Sequence, residues 1–216
     1  WFPLIPNLKP KFIILYIGVN DADFRRADKP NFGFDTNDRR GLKTFLKSFE
    51  IVRALLPIYR LSWQKIDKSS AQYAGHKAQN YTEEDYKVTT MNENTSRLSN
   101  VNALVFETKM IAILREVREL DAVPICVTQP NRYVTIKDGK NYGIPNVLGE
   151  QFSGIDYDFS IQQLNTVLIK LCGDMTVDLY NHNFLDIHFY DGVHTTSKGS
   201  QEIGKVISKF IISKFY

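Results

Sequence analysis

The sequence has few cysteines, no long apolar run and little excess charge, and each of these deficits excludes a class of protein. Two cysteines in 216 residues imply no disulfide framework, and we expect Cys126 and Cys172 to be small buried hydrophobic residues. The longest apolar runs, such as residues 12–17 and 206–212, are far shorter than the ~20 residues that a transmembrane helix requires, so no such segment is expected. The formal net charge is only +3 and no basic tract is long, so we expect no nucleic-acid partner.

The composition is otherwise that of a folded domain. Hydrophobic residues make up 43% of the chain and charged residues 24%, values that exclude a disordered, collagen-like or coiled-coil protein. We therefore predict one domain over residues 1–216, large enough to bury roughly 70% of the surface that the unfolded chain exposes. The sequence starts at Trp1 rather than Met, so no signal peptide can be read and the compartment stays open.

Short apolar runs alternate with longer helical patterns along the chain. Buried strands are predicted at residues 11–17, 123–127 and 175–180, where the runs are short and bounded by turn residues. Helices are predicted where apolar residues recur every three or four positions, at residues 36–59, 102–121, 157–172 and 198–214. Polar loops without a period are predicted at the insertion of about 62–100 and after residue 127, the latter with a turn at Asp138 and Gly139. This alternation predicts a parallel sheet with helices on both faces.

Polar residues follow the first two predicted strands, where ligands of parallel α/β sheets bind. Asn20 comes directly after the first strand, and its amide is a suitable donor to a developing oxyanion. A simple turn-forming role is the alternative for Asn20, because Asn side chains often bond to the local backbone. Gln129 and Arg132 follow the second strand and are candidates for substrate binding, with an ordinary loop as the alternative.

Asp191 and His194 follow the third predicted strand at a spacing typical of a base and the residue that orients it. A carboxylate three residues before an imidazole can accept the Nδ1–H and leave Nε2 facing a substrate or a nucleophile. The alternative is that His194 only satisfies a local hydrogen bond near the start of the last helix.

A histidine-rich stretch surrounds this pair and raises the alternative of a metal site. His182, Asp186 and His188 precede Asp191 and His194 within residues 181–194. Their spacing matches no zinc motif and no cysteine lies nearby, so we expect no metal and no other cofactor. The remaining histidine, at position 76, lies in the insertion with no partner nearby in sequence.

Two blocks of this sequence resemble those of the SGNH hydrolases, also called the GDSL esterase and lipase superfamily. They are Gly18-Val19-Asn20-Asp21 after a strand and Tyr190-Asp191-Gly192-Val193-His194-Thr195 before the last helix. Smaller similarities are Lys9-Pro10-Lys11, Thr128-Gln129-Pro130 and Gly199. The resemblance covers nearly the whole chain except the insertion at 62–100.

The resemblance implies a flavodoxin-like three-layer α/β/α sandwich with a parallel sheet, and serine ester hydrolysis without a metal. It implies that His194 is the general base and then the general acid, that Asp191 orients it, and that Asn20 contributes to the oxyanion hole. The preferred substrate is an ester with a small acyl group, for example an O-acetylated carbohydrate. Tyrosines of the insertion would then form a sugar-binding wall, unless they belong to a solvated loop; they are Tyr73, Tyr81 and Tyr86.

The sequence departs from the family at the nucleophile. The family serine lies in a Gly-Asp-Ser-like block after an earlier strand, and a glycine from a second block contributes its amide to the oxyanion hole. Neither of these two blocks precedes Gly18. Ser153 follows a polar loop and lacks the Gly-x-Ser-x-Gly elbow, so it is a poor substitute. We expect the serine and the N-terminal strands to lie outside this chain, and a missing segment or another chain to cover the edge of the strand at 11–17.

Two other functions stay open. One is an SGNH-like domain without turnover that binds a glycan or a partner protein, which a residue other than serine at the nucleophile position would favour. The other is a metal-dependent phosphoesterase that uses the histidine-rich stretch, which loss of activity with a chelator would favour.

Overall fold

The computed structural model describes residues 9–24, 81–147 and 151–216. The helix predicted at 36–59, the insertion from 62 to 80, Tyr73 and His76 lie outside the described residues. No helix in the described ranges is long and apolar enough to cross a bilayer.

The described chain contains three long helices and six strands. In order they are β1 (Phe12–Leu15), β2 (Lys87–Val88), α1 (Thr95–Glu119), β3 (Val123–Val127), β4 (Val134–Lys137), β5 (Lys140–Gly143), α2 (Gly154–Cys172), β6 (Thr176–Val177) and α3 (Ser197–Phe215). Short 3₁₀ turns occur at Val19–Ala22, Glu83–Asp85, Gly173–Met175 and Asp186–His188.

A parallel sheet of three strands, in the order β1-β3-β6, positions the candidate site. Strand β3 pairs with β1 along one edge, from Phe12 opposite Val123 to Leu15 opposite Cys126. Its other edge pairs with β6, where Val127 lies opposite Val177. The carboxyl ends of parallel strands lie at one edge of the sheet, so the segments that follow β1, β3 and β6 emerge there. The predicted mixed α/β class with a parallel sheet is confirmed.

Helices pack on both faces of this sheet. Successive strand side chains point to opposite faces, so Cys126 joins the core formed with α1 and α2, whereas Ile125 and Val127 join the core formed with α3. Phe106, Met110 and Ile161 are fully buried in the first of these cores. The strand β3 is therefore covered from both sides, which explains why its sequence is apolar throughout.

Helix α1 begins seven residues earlier than the predicted start at Asn102. Its first two turns contain Thr95, Ser99 and Asn102, all buried although they are polar. The Thr95 hydroxyl donates to the carboxylate of Asp156 at the start of α2. Buried polar residues interrupt the apolar period, so the helix could not be recognised there, and the insertion ends before residue 95 rather than at 100.

A small antiparallel sheet combines two strands from the predicted polar loop after β3, β4 and β5, with β2 from the predicted insertion of about 62–100. Its order is β2-β5-β4, and β4 and β5 form a hairpin. Asp138 and Gly139 form its turn with φ of 51° and 70°, as a two-residue turn of type I′ requires. The turn signal was right, but the flanking strands are short and partly exposed and were missed.

Strand β6 is shorter than the predicted strand at 175–180. Beyond Val177 the backbone bonds to side chains instead of a neighbouring strand: the N–H of Tyr180 donates to the Thr128 hydroxyl at 2.9 Å. The same hydroxyl donates to the Asp178 carboxylate at 2.9 Å. Side-chain bonding of this kind ends the ladder after two residues.

The two cysteines form a disulfide, so the expectation of two separate buried residues was wrong. Cys126 in β3 is bonded to Cys172, the last residue of α2, with their Cα atoms 6.2 Å apart. The two positions are 46 residues apart in sequence, and only the packing of α2 against the sheet brings them together.

Candidate active site

Asn20 lies in the 3₁₀ turn that leaves the carboxyl end of β1. Gly18 precedes this turn with φ 133°, a conformation that residues with a side chain rarely adopt. The N–H of Asp21 donates to the Gly18 carbonyl at 2.8 Å, and the Asp21 carboxylate is 2.7 Å from Nζ of Lys109 on α1. These contacts fix the turn, and Asn20 itself is exposed.

Asp191 holds both the ring and the backbone of His194. Its Oδ2 is 2.7 Å from His194 Nδ1, and its Oδ1 accepts the backbone N–H groups of Val193 and His194 at 2.9 and 2.7 Å. This pairing through Nδ1 directs Nε2 away from the carboxylate. The His194 side chain is 42% exposed, whereas that of Asp191 is 14% exposed. An oriented and accessible imidazole with this arrangement can act as a general base.

Two further contacts hold the loop of His194 in place. The backbone N–H of Arg132 donates to the Gly192 carbonyl at 2.9 Å. Gly192 lies directly on the ring of Tyr133, where an added Cβ would be 1.9 Å from Cε1. Glycine is therefore required at position 192 because there is no room for a side chain, and not because of its backbone conformation.

Tyr133 lies between the loop of His194 and the segment that follows Asn20. Its ring centroid is 5.7 Å from that of Tyr157, which in turn packs edge-on against Phe24 at 5.0 Å. Burial raises the pKa of Tyr133 well above its usual range, and the negative charges of Asp191 and Asp23 contribute to the rise. One aromatic cluster is thus close to both loops.

Gln129 and Arg132 lie at the predicted end of β3, but both are more than nine-tenths buried. The amide of Asn165 accepts the N–H of Gln129 at 2.7 Å and donates to its carbonyl at 3.0 Å. The Gln129 side chain donates to the Tyr16 hydroxyl at 3.2 Å. Gln129 therefore supports the end of the strand from the interior.

Arg132 connects three segments of the chain. Its Nη2 donates to the Tyr81 carbonyl at 2.8 Å, and its Nη1 donates to the Asp186 carbonyl at 3.3 Å. Its own carbonyl accepts the Tyr86 hydroxyl at 2.7 Å. Within the described ranges its buried Nε has no hydrogen-bond partner.

The other histidines and Ser153 have separate structural partners. His182 Nε2 is 3.3 Å from a carboxylate oxygen of Glu202, and His188 Nδ1 accepts the backbone N–H of Leu185 at 3.2 Å. Among the residues that the structure describes, no group of three or more His, Cys, Asp or Glu is arranged to hold a metal ion. Ser153 is buried and donates to the Asp156 carboxylate at 2.8 Å, as the N-cap of α2.

Asp156 and Tyr133 were not recognised in the sequence. The buried Asp156 carboxylate accepts hydrogen bonds from Ser153, Asn92 and Thr95, and so joins the starts of α1 and α2. Ser153 and Asp156 form a capping box, and this Ser-x-x-Asp pattern could have been found before the apolar helix. No local pattern marks Tyr133, because its contact with Gly192 depends on the tertiary fold.

Comparison of this chain with known proteins finds no match. No family model matches the chain. No curated protein and no solved structure is significantly similar to it.

Proposed function

We propose that this chain forms a serine ester hydrolase of the SGNH type, with a flavodoxin-like three-layer sandwich as its fold. The observation that carries the proposal is the 2.7 Å pairing of Asp191 Oδ2 with the accessible His194. The strand order β1-β3-β6 and the helices on both faces are compatible with such a sandwich. The exposed Asn20 follows a strand of the same sheet.

The proposed reaction uses a serine from outside these 216 residues. His194 Nε2 takes the serine proton as the hydroxyl oxygen attacks the ester carbonyl, while Asp191 keeps Nδ1 protonated and stabilises the imidazolium. The Asn20 amide donates to the tetrahedral oxyanion. His194 then returns the proton to the leaving alcohol, and water releases the acyl group in a second cycle of the same kind.

The substrate that we propose is an ester of a small acyl group, such as an O-acetylated carbohydrate. Hydrolysis of this kind requires only a nucleophile, a base with its orienting carboxylate and an oxyanion donor. The proposal therefore includes no metal and no other cofactor.

The test is labelling of the full-length protein with a fluorophosphonate, which reacts with an activated serine. His194→Ala should abolish nearly all labelling, whereas His182→Ala, which removes a histidine paired elsewhere, should leave it intact. Asn20→Ala should lower kcat for p-nitrophenyl acetate by ~10² to 10³, and the exposed Asn141→Ala serves as its control. Unchanged hydrolysis in His194→Ala would show that the base is wrongly assigned.

The labelling experiment and a chelator control separate the two other functions. A domain without turnover would show no labelling and no hydrolysis in any variant. A metal-dependent phosphoesterase would lose its activity with a chelator, to which a serine esterase is indifferent.

A further inference from the structure

A cavity of about 290 Å³ lies next to the loop of His194, and neither His194 nor Asn20 lines it. Its walls come from three segments, residues 81–86, 130–137 and 180–189. The volume is close to the lower end of the range for small-molecule sites, so the cavity has room for one small ring, and the rest of a larger ligand would lie outside it.

The wall of this cavity continues into the loop of His194. Phe189 lines the cavity and forms a β-bridge with Thr195, and the N–H of Tyr190 donates to the His194 carbonyl at 3.0 Å. Tyr81, on another wall, has its pKa raised to about 12, first by burial and then by the charge of Asp191. A ligand in the cavity is therefore adjacent to the candidate active site.

The charged side chains of the lining are paired with one another. Lys137 is 3.0 Å from Glu83, and Arg132 Nη2 is 3.3 Å from Asp186 Oδ1. The cationic and anionic side chains of these two pairs balance, so the lining offers no excess positive charge for a phosphate and no excess negative charge for an amine. The cavity is suited to a neutral ligand.

Aromatic and polar side chains share the remaining lining. Four partly exposed aromatic residues contribute to it: Tyr81, Tyr86, Tyr180 and Phe184. Amide and hydroxyl groups of Asn131, Thr135 and Asn183 lie among them. A neutral sugar ring matches this mixture, because its C–H faces pack on aromatic rings while its hydroxyls bond to the polar groups.

We propose that this cavity is a subsite for a neutral sugar residue, which would be the alcohol part of the ester substrate. The catalytic meaning of the subsite rests on the proposed hydrolase function, but sugar binding itself does not require turnover.

Binding of free sugars tests the subsite directly. The probes are cellobiose, xylobiose and N,N′-diacetylchitobiose, with glucose 6-phosphate as the anionic comparison, followed by saturation-transfer NMR and calorimetry on the full-length protein. At least one neutral disaccharide should bind, and Tyr81→Leu should weaken its affinity ~10-fold through loss of the aromatic contact. The matched control is Tyr142→Leu, a tyrosine of β5 that does not line the cavity.

A second variant, independent of Tyr81, shows whether weaker binding by Tyr81→Leu comes from the cavity or from a folding defect. Asn183 is exposed and lines the cavity, and Asn183→Ala should weaken sugar binding several-fold, whereas Asn141→Ala on the hairpin should not. The subsite is refuted if none of the three disaccharides binds, if both cavity variants bind as the wild type does, or if glucose 6-phosphate binds more tightly than the neutral sugars.

The two proposals fail in different ways. If fluorophosphonate labelling depends on His194 but no disaccharide binds, the hydrolase stands and the subsite is wrong. If disaccharides bind but nothing is labelled, the subsite stands and the hydrolase is wrong.

Discussion

Replacing Gly192 with Ala should disturb the candidate site without touching either of its ionisable side chains. The added Cβ would be 1.9 Å from Tyr133 Cε1 and 2.5 Å from two further ring atoms. Ordinary contact begins at about 3.4 Å, so the ring and the loop must separate by about 1.5 Å. Tyr133 is buried and cannot rotate away freely, so the loop of His194 must move instead.

We expect Gly192→Ala to lower both the stability and the activity of the protein. Overpacking of this kind lowers the free energy of unfolding by about 1–3 kcal/mol, which urea denaturation measures. A displacement of the imidazole by about 1 Å lowers kcat by ~10², which hydrolysis of p-nitrophenyl acetate by the full-length protein measures. Gly204→Ala is the control, because a Cβ at this exposed helical position meets no atom within 4 Å and should stabilise α3 by up to about 1 kcal/mol.

A double-mutant cycle identifies the cause. Tyr133→Leu removes the ring atoms that the new methyl group meets, so the cost of Gly192→Ala should become smaller in that background by about 1 kcal/mol or more. Equal unfolding midpoints and equal rates for wild type and Gly192→Ala would refute the reasoning. Additive effects of the two substitutions would show that the contact with the ring is not the reason.

Three other predictions concern the interior. Reduction of the disulfide, or Cys172→Ser, should lower the free energy of unfolding by about 4 kcal/mol, because the bridge closes a loop between positions 46 apart; equal urea midpoints with and without reductant would contradict this. Burial raises the pKa of Tyr16 from 10.0 to about 12, so the stabilising contribution of its neutral form is complete below pH 10 and is lost as the pH rises through 12. Between pH 9 and pH 11 the free energy of unfolding, measured by urea titration, should therefore fall less for Tyr16→Phe than for wild type. Asn165→Leu leaves two backbone groups of Gln129 unpaired and should cost about 2 kcal/mol or more, whereas Asn141→Leu on the exposed hairpin should change stability by roughly 0.5 kcal/mol or less.

The sequence predicted best the elements that a continuous apolar pattern defines. Strand β3 has the predicted bounds of Val123–Val127, because it is buried on both faces and contrasts sharply with its flanks. Helices α2 and α3 begin within a few residues of their predicted starts. The start of α1 was missed because Thr95 and Asn102 are polar residues that hydrogen-bond to groups distant in sequence, and such residues do not contribute to a hydrophobic periodicity.

In the candidate site, too, local features could be predicted from the sequence and features that depend on tertiary contacts could not. The contact between Asp191 and His194 is local, so their spacing alone could indicate it. For Gln129 the position at a strand end was predictable, but its side chain points inward to the hydroxyl of Tyr16, a partner 113 residues away that no local pattern specifies. The disulfide likewise depends on how α2 packs against β3.

The order of the sheet also affects synthesis of the protein. Strand β1 has β3 as its neighbour in the described sheet, and β3 leaves the ribosome about 110 residues later, a delay on the order of ten seconds at ordinary elongation rates. During that interval the nascent β1 presents apolar side chains and unpaired backbone groups, and it can be protected only by a chaperone or by other parts of the chain. Translation speed between these two strands is therefore expected to influence the yield of correctly folded protein.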